Sequence, residues 1–191
     1  MSVIPEHDTI RAAVKEHITS VLGRYRKKVI TDDTLKAAAV LVPLFAREKQ
    51  YHVLYTQRSD EVNFHKGQVC FPGGTREESD SSLLATALRE VQEEIGLNPE
   101  DVEVIGELDD ITTVTSGYII SPFVGFIPYP YPFRVDRKEI RELFTVPLSA
   151  LLDEGNFKHY SYEYEGHIIW GATAMISRRF AQLLRSESGA L

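Results

Sequence analysis

The apolar residues of two segments, residues 8–26 and 172–186, recur with the spacing of an α-helix. In the first segment they fall every three or four positions and therefore share one face: Ile10, Ala13, Val14, Ile18, Val21 and Leu22. Such spacing is typical of an amphipathic helix that packs one side against a core. We therefore predict one helix near the start of the chain and a second one, "ATAMISRRFAQLLRS", that closes it.

Shorter apolar runs between these two helices predict β-strands. Two of them, "AAAVLVPLF" and "YHVLYTQR", flank the charged turn "AREKQ", whereas "FPGG" must be a turn or loop because of its proline and glycines. Later strands are predicted over 102–108, 112–127 and around 157–170, and a short helix or turn that leads into a strand over 136–146. Intermixed strands and helices with more than one hairpin indicate a mixed-sheet α/β or α+β domain.

A further helix is predicted from Leu83 onward. The stretch "ESDSS" before it offers several candidate N-caps, among which we favour Asp80 or Ser79, because aspartate and serine side chains accept hydrogen bonds from the first free N–H groups of a helix. Gly96 is predicted to end the helix, because glycine readily takes the left-handed conformation found just after many helices.

Three glutamates crowd one side of this helix. At about 100° per residue, Glu93 lies about 60° to one side of Glu90 and Glu94 about 40° to the other. The opposite side is apolar and would pack on the sheet: Leu84, Leu88, Val91 and Ile95. One interpretation is an ordinary solvated acidic face. The other is a site for a hard divalent cation, which carboxylates bind together with waters and substrate phosphates. The glycine-rich loop before the helix and the lack of interleaved lysines favour the second.

Composition and charge narrow the class of protein. The chain has 191 residues, of which 43% are hydrophobic and 26% charged, as in an ordinary globular domain. Its net charge of −7 argues against a nucleic-acid partner, and the basic run "RYRKK" (24–28) is predicted to be a solvated helix end. A single cysteine, Cys70, excludes an internal disulfide. Without an apolar leader or a membrane-spanning run, we expect a cytoplasmic protein with no membrane partner.

The residues around the glutamates resemble a known family pattern. The segment "GGTREESDSSLLATALREVQEEIGL" (73–97) is similar to the Nudix box, G-x5-E-x7-R-E-U-x-E-E-x-G-U, in which U is aliphatic. Its second half matches at every fixed position: Arg89, Glu90, Val91, Glu93, Glu94, Gly96 and Leu97. The first half departs, because Gly74 lies one residue further from Arg89 than in the pattern. In addition, Ser81 stands where an acid is expected, directly after Asp80.

A second resemblance lies just upstream. The segment "LYTQRSDEVNFHKGQVCFPGG" (54–74) is similar to the signature L-L-T-x-R-S-x3-R-x3-G-x3-F-P-G-G of the Nudix subfamily that hydrolyses coenzyme A. The matching positions are Thr56, Arg58, Ser59, Gly67 and Phe71 to Gly74. Members of that subfamily also share the longer glycine-to-arginine spacing, with an aspartate near Asp80. Asn63 replaces the second arginine of the signature, so part of the phosphate recognition is left open. The likeness covers about residues 36–185.

The resemblance implies a Nudix fold, with a mixed β-sheet sandwiched between helices. It implies a single domain over residues 1–191, with a helical extension over 1–30 and the box at about 74–97. It also implies Mg²⁺- or Mn²⁺-dependent cleavage of a diphosphate. By position the metal ligands are Glu90 and Glu94, with Glu93 as a third ligand or acting through water, and with Gly74 letting the backbone approach the metal.

The same resemblance assigns catalytic roles to Glu93, to Arg89 and to Glu139. Arg89 is expected to orient a glutamate carboxylate. Glu139 is expected to be the general base, and its neighbour Glu142 is an equal alternative.

The residues expected to bind substrate are Arg58, Ser59, Gly67, Gln68, Phe71 and Gly73. Arg58 is predicted to contact a phosphate, because a guanidinium can bind phosphate through two hydrogen bonds. A salt bridge to Asp60 or Glu61 is the alternative for Arg58.

The resemblance therefore predicts a hydrolase that splits coenzyme A or its thioesters into 3′,5′-ADP and 4′-phosphopantetheine or its acylated form. Two alternatives are a Nudix pyrophosphatase for ADP-ribose, a nucleotide sugar or a dinucleotide polyphosphate, and a non-catalytic ligand-sensing domain. A homodimer through the N-terminal helix is left open.

Overall fold

The computed structural model describes residues 6–61, 66–113, 116–158 and 161–187. Within these ranges it contains four α-helices: α1 (Glu6–Arg24), α2 (Leu83–Ile95), α3 (Leu148–Leu152) and α4 (Gly171–Glu187). The strands of the same ranges are β1 (Lys36–Arg47), β2 (Gln50–Arg58), β3 (Val69–Cys70), β4 (Gly73–Thr75), β5 (Glu103–Glu107), β6 (Ile111–Thr113), β7 (Tyr118–Phe126), β8 (Ile140–Pro147), β9 (Phe157–Lys158), β10 (Ser161–Tyr164) and β11 (His167–Trp170).

Strand β1 is the centre of a mixed sheet. The main strand order is β3-β2-β1-β7-β5, with β4 beside β1, β6 beside β7 and β8 beside β2. β1 is antiparallel to β2 and to β4, but parallel to β7 from Lys36 opposite Tyr118 to Leu44 opposite Phe126. A separate antiparallel sheet has the order β11-β10-β9. The parallel β1–β7 pair inside an otherwise antiparallel arrangement makes the large sheet mixed.

Helices cover both faces of the large sheet. Helix α2 covers one face, and the cluster buried there is Ala39, Leu41, Phe45, Leu54, Ala87, Val91, Ile95, Leu97, Phe123 and Ile127. Helices α1 and α4 cover the other face, above inward-pointing residues of β1, β2 and β7 such as Val42, Val53 and Val124. The predicted architecture, a mixed β-sheet between helices, is therefore confirmed.

Two local predictions were wrong. The segment 112–127 is not one strand, because a turn containing Gly117, which has a φ of 71°, separates β6 from β7. The N-cap of α2 is Ser82 rather than Asp80 or Ser79, since the Ser82 hydroxyl accepts a hydrogen bond from the N–H of Ala85 at 3.1 Å. Gly96 ends α2 as predicted, in the left-handed conformation with a φ of 67°.

Helix α1 is packed closely on the edge strand β5. Ile18, Val21 and Leu22 are at most 3% exposed. Gly106 of β5 lies so near α1 that a Cβ added there would stand 2.9 Å from the Cβ of Leu22. The first helix is therefore part of the core that lies on the α4 side of the sheet.

Residues 25–30, which we call the strap, follow α1 and are bound by two adjacent buried aspartates. The Tyr25 hydroxyl and the Lys28 N–H donate to Asp109 Oδ1 at 2.7 and 2.8 Å, and the Ile30 N–H donates to Asp110 Oδ2 at 2.9 Å. The solvated helix end predicted at 24–28 is confirmed in part: Arg24, Arg26 and Lys28 are exposed, whereas the Tyr25 hydroxyl and the Lys28 N–H are tied to Asp109. None of the helices in the described ranges is long and apolar enough to cross a bilayer.

Candidate active site

Glu94 is a buried carboxylate on the sheet-facing side of α2. Its side chain is 2% exposed. The N–H of Gly73 donates to Glu94 Oε2 at 3.1 Å, and Arg58 Nη1 lies 3.8 Å from Glu94 Oε1. Burial raises the pKa of Glu94 to about 8; the Gly73 N–H and the Arg58 charge oppose this shift, whereas the nearby carboxylates of Glu90 and Glu139 increase it. The hydrogen bond and the positive charge around Glu94 are therefore too weak to offset the cost of burying its charged form.

Glu90 lies one turn before Glu94 and faces the glycine-rich loop. A Cβ added to Gly74 would stand 2.4 Å from Glu90 Oε1, so only a glycine leaves this carboxylate its present position. Gly73 has a φ of 151°, and a Cβ there would stand 2.3 Å from the carbonyl oxygen of Ala39. Burial raises the pKa of Glu90; the Arg89 charge opposes this, and Glu93 and Glu139 add to it. The two glycines therefore let the loop pass directly beside the carboxylates.

Arg89 binds carboxylates and the loop together. Its Nε and Nη2 donate to the two oxygens of Asp80 at 3.0 and 3.1 Å, and Nη2 also donates to the carbonyl of Thr75 at 3.1 Å. Its Nη1 lies 3.0 Å from Glu90 Oε1 and donates to Glu93 Oε2 at 2.9 Å. Planar guanidinium groups favour such two-pronged pairs. Arg89 thus fixes the orientation of Glu90 relative to the loop.

Asp80 is a site residue whose role the sequence did not reveal. It is 7% exposed and also accepts from the Glu77 N–H and the Thr86 hydroxyl, each at 2.9 Å. The hydrogen bond with Arg89 and the Glu77 N–H lower the pKa of Asp80 against the effect of burial. Asp80 accordingly supplies the acid expected at Ser81. The extra residue between Gly74 and Arg89 was the signal that could have shown this.

The Glu93 carboxylate does not lie beside those of Glu90 and Glu94. Its side chain is 59% exposed and is bound to Arg89. Among the described residues, no three His, Cys, Asp or Glu side chains are placed so that they could hold a metal ion together. The predicted set of Glu90, Glu93 and Glu94 is therefore not gathered here, because Glu93 lies on the solvent side of α2.

Glu139 and Glu142, which the sequence did not distinguish, lie on different faces of the sheet. Glu139 is close enough to raise the pKa of both Glu90 and Glu94. Its carbonyl oxygen accepts from the Ser59 N–H at 2.7 Å, which anchors it beside the end of β2. Glu142 Oε1 instead lies 3.0 Å from His167 Nε2, and the His167 ring stacks on Phe144 on the α4 side. The geometry favours Glu139 as the carboxylate that serves the α2 site.

Arg58 ends β2 and points toward α2. Besides its contact with Glu94, its Nε–H is buried and has no hydrogen-bond acceptor within the described ranges. The alternative partner Asp60 pairs instead with Arg141, at 3.7 Å. A buried, unused guanidinium donor beside the carboxylates fits a site for an anionic oxygen.

The other predicted substrate residues are less accessible. Phe71 is 2% exposed and stacks on Tyr55 in the core on the α4 side, with ring centroids 4.7 Å apart, so in this structure it faces away from α2, and its contact with substrate stays a prediction. Ser59 is 7% exposed, and its hydroxyl accepts from the Glu61 N–H at 3.1 Å. Gly67 accepts at its carbonyl from the Gln57 amide at 3.1 Å, and the Gln68 carbonyl accepts from the Arg58 N–H at 2.9 Å. Asn63 lies outside the described residues.

Glu90 and Glu94 beside the loop suit a divalent metal ion that takes its remaining ligands from water and substrate, since Mg²⁺ is usually bound by only one or two carboxylates. Glu90, Glu94 and Glu139 repel one another in a partly buried place, and a cation relieves such repulsion. Gly74 lets the Glu90 carboxylate lie directly against the loop, in the space that a side chain would fill. Carboxylate oxygens are also the ligands that Mg²⁺ prefers.

The α+β fold, together with a helix that carries carboxylates beside a glycine-rich loop, defines the class of enzyme to which this chain belongs. The model of the NUDIX domain family matches residues 35–163. The chain therefore belongs to the Nudix family of hydrolases, which act on diphosphate bonds and generally use divalent metal ions such as Mg²⁺.

Similar proteins agree with this assignment. The chain is 40% identical over 188 residues to the "Uncharacterized Nudix hydrolase NudL" of Salmonella heidelberg (strain SL476), with 91% of this chain and 96% of that protein covered. A MutT/nudix family protein from Enterococcus faecalis has a similar fold, with a TM-score of 0.59, 15% identity, and 96% and 76% of the two chains covered. The Nudix hydrolase RenU from M. smegmatis gives a TM-score of 0.56 at 18% identity, with 82% and 87% covered.

Proposed function

We propose that this enzyme hydrolyses the diphosphate bond of coenzyme A or its thioesters, with Mg²⁺ or Mn²⁺ as cofactor. The products are 3′,5′-ADP and 4′-phosphopantetheine or its acylated form. The observation that carries the proposal is the position of Arg58. The upstream signature contains this arginine, and its side chain lies 3.8 Å from Glu94 with a buried Nε–H unused among the described residues.

The residues of the site fit this reaction. Glu90 and Glu94 would hold the metal ion, which when bound neutralises phosphate charge and lowers the pKa of water. Arg58 would bind a non-bridging oxygen of the diphosphate. Arg89 holds Glu90 in place, and Gly74 lets that carboxylate lie directly against the loop.

Glu139 is our proposed general base. It would accept a proton from the attacking water, which is a role for a carboxylate held within reach of the reacting centre. The Ser59 N–H fixes its backbone, and its side chain acts electrostatically on Glu90 and Glu94.

A substrate panel tests the proposal. Coenzyme A, an acyl-coenzyme A, dephospho-coenzyme A and ADP-ribose would each be incubated with Mg²⁺ or Mn²⁺, and the products resolved by mass. We expect the highest kcat/KM for coenzyme A or its thioester, with cleavage between the two phosphates. Faster cleavage of ADP-ribose than of every coenzyme A derivative would reject the proposed substrate.

A second candidate keeps the chemistry and changes the substrate to ADP-ribose, a nucleotide sugar or a dinucleotide polyphosphate. Asn63 favours it, because it removes an arginine that the coenzyme A signature contains. A non-catalytic ligand sensor is the third candidate. Ligand binding without turnover of any diphosphate in the panel would support that one.

The pair Glu139 and Glu142 provides an internal test of the base. Glu139→Gln should lower kcat by at least ~10²-fold, as loss of a general base does. The matched control Glu142→Gln removes a carboxylate of the same type three residues away and should leave kcat near that of the wild type. Equal effects of the two substitutions, or a near-normal rate for Glu139→Gln, would contradict the assignment.

A further inference from the structure

The loop that carries Glu139 has an unusual density of positive charge. Half of the eight residues 134–141 are arginine or lysine, whereas these two types make up 21 of the 191 residues in an acidic chain. The loop is fastened to the end of α2, because the N–H groups of Arg134 and Asp136 donate to the carbonyls of Ile95 and Glu94, each at 2.9 Å. A cationic segment is thus fixed beside the carboxylate site.

Two of the four cations have structural roles. The Arg134 backbone is bound to the C-terminal end of α2, because its N–H donates to the Ile95 carbonyl at 2.9 Å, and a positive charge near that end interacts favourably with the helix dipole. Arg137 Nη1 donates to the carbonyl of Arg141 at 2.6 Å and so closes the turn before β8. These contacts account for Arg134 and Arg137 without any ligand.

Lys138 and Arg141 have no comparable role. The Lys138 side chain is exposed and makes no hydrogen bond or ion pair with another described residue. Arg141 has only a loose pair with Asp60, at 3.7 Å, in which the two side chains are 60% and 74% exposed. Exposed pairs of this kind contribute little to stability. Both charges are therefore available to a ligand.

The two available cations stand on either side of Glu139. They are three positions apart in the chain, so their Cα atoms are at most about 11 Å apart, which is close enough for two long side chains to reach one anion. Asp60, the partner of Arg141, follows Arg58 by two residues. A substrate held at Arg58 and at the α2 carboxylates would thus have Lys138 and Arg141 at the rim of its site.

We propose that Lys138 and Arg141 bind a phosphate monoester of the substrate that lies outside the cleaved diphosphate. This inference rests on the proposed function, since the 3′-phosphate of coenzyme A is such a group and ADP-ribose has none. Two cations that converge on one dianionic phosphate give charge-assisted hydrogen bonds, which are about twice as strong as neutral ones. Lys138 and Arg141 would then make the enzyme bind 3′-phosphorylated nucleotides more tightly than nucleotides without this phosphate.

The test compares the binding of 3′,5′-ADP with that of 5′-AMP, which lacks the 3′-phosphate, by calorimetry in the presence of Mg²⁺. The variant is Lys138→Ala/Arg141→Ala, which keeps the Arg137 contact that closes the turn. We expect its affinity for 3′,5′-ADP to fall at least ~10-fold and that for AMP to change less than ~2-fold. The matched control, Arg47→Ala/Lys49→Ala, removes two cations from the β1–β2 turn at the far end of β2 and should affect neither ligand.

Three results would overturn the proposal: equal losses for both nucleotides, no loss for either, or wild-type protein that prefers AMP or does not discriminate. None of them depends on turnover. Failure of the proposed function, by contrast, would be seen as absence of coenzyme A cleavage by the wild-type enzyme in the substrate panel, so the two failures are distinguishable.

Discussion

Two groups of buried acids, one around Asp109 and one around Glu94, differ in how their charges are compensated. Asp109 accepts hydrogen bonds from Tyr25, from the Lys28 N–H and from Arg179. These partners outweigh burial and lower the pKa of Asp109. Glu94 has one N–H donor and a guanidinium at 3.8 Å, and its pKa is raised to about 8, mainly by burial.

The difference separates a structural site from a functional one. A carboxylate whose partners come from three parts of the chain is compensated by the fold itself and holds those parts together. A carboxylate that remains under-compensated after folding costs stability, and clusters of this kind occur where a ligand supplies the missing charge. Asp109 ties the strap and α4 to the sheet, whereas Glu94 is available to a cation.

The largest effect that we expect comes from Glu94→Gln. The amide keeps the size of the side chain and an acceptor for the Gly73 N–H, but it removes the charge that would bind a metal ion. We expect kcat/KM to fall by about 10³-fold, which is the upper range for loss of one preorganised electrostatic group. The melting temperature should stay within a few degrees of the wild type or rise, because the amide replaces a buried carboxyl group whose charged form is poorly compensated.

A loss of stability as large as the loss of activity would show that Glu94 resembles Asp109 after all. Activity would be followed on the best substrate of the panel, and stability by thermal unfolding without added metal.

Asp109→Asn should give the opposite result. The amide places N–H donors among the donors of Tyr25, Lys28 and Arg179, so at least one buried contact becomes repulsive. Breaking a buried, hydrogen-bonded charge pair costs about 3 kcal/mol. We expect the free energy of unfolding in urea to fall by roughly that amount, with kcat/KM of the folded enzyme unchanged. A stable but inactive variant would refute a structural role.

The same substitution, glycine to alanine, at Gly74 and at Gly106 tests the contrast between the functional and the structural site through smaller effects. In Gly74→Ala the new Cβ meets the flexible end of Glu90, so the fold can adjust, but the carboxylate is displaced. We expect at least a ~10-fold loss of kcat/KM and little loss of stability, since small misplacements of catalytic groups are costly. In Gly106→Ala the Cβ meets the Cβ of Leu22 and must move α1, which should cost about 1–3 kcal/mol at normal activity.

These two variants serve as controls for each other, with rate and unfolding measured on both. If Gly74→Ala lost stability and Gly106→Ala lost activity, the distinction between a functional site around Glu94 and a structural site around Asp109 would be wrong.

The parts of the structure that depend on local spacing could be predicted from the sequence. Helix α2, its end at Gly96 and the common side of Glu90 and Glu94 follow from the helical repeat. The parallel pairing of β1 with β7 could not be predicted, because residues distant in the chain decide it and strand periodicity carries no information on the partner.

In the candidate site, too, contacts between residues that are distant in the chain could not be predicted. Asp80 was assigned to the cap of α2 because caps are local features, yet its partner Arg89 is nine residues away across the start of the helix. Phe71 lies in the signature but points to the α4 side of the sheet, which strand pairing decides. Glu139 precedes β8 whereas Glu142 lies within it on the α4 side, and the start of that strand, beside a register irregularity between Gln57 and Arg58 of β2, could not be read from the sequence.

The smallest expected effect is a pH dependence confined to the Asp109 cluster. The folded pKa of Asp109 lies below its value of about 3.9 in unfolded chains. Its contribution is therefore complete above about pH 4 and is lost as the pH falls toward the folded pKa. The difference in unfolding free energy between wild type and Asp109→Asn should thus be constant from pH 7 to 5. It should then shrink as the pH is lowered through 4, because the unfolded chain takes up a proton there before the folded carboxylate does. Urea unfolding of both proteins at pH 7, 5, 4 and 3.5 measures it. A difference that grows on acidification would mean that Asp109 is destabilised by burial as Glu94 is, and the contrast between the two acid clusters would then have no basis.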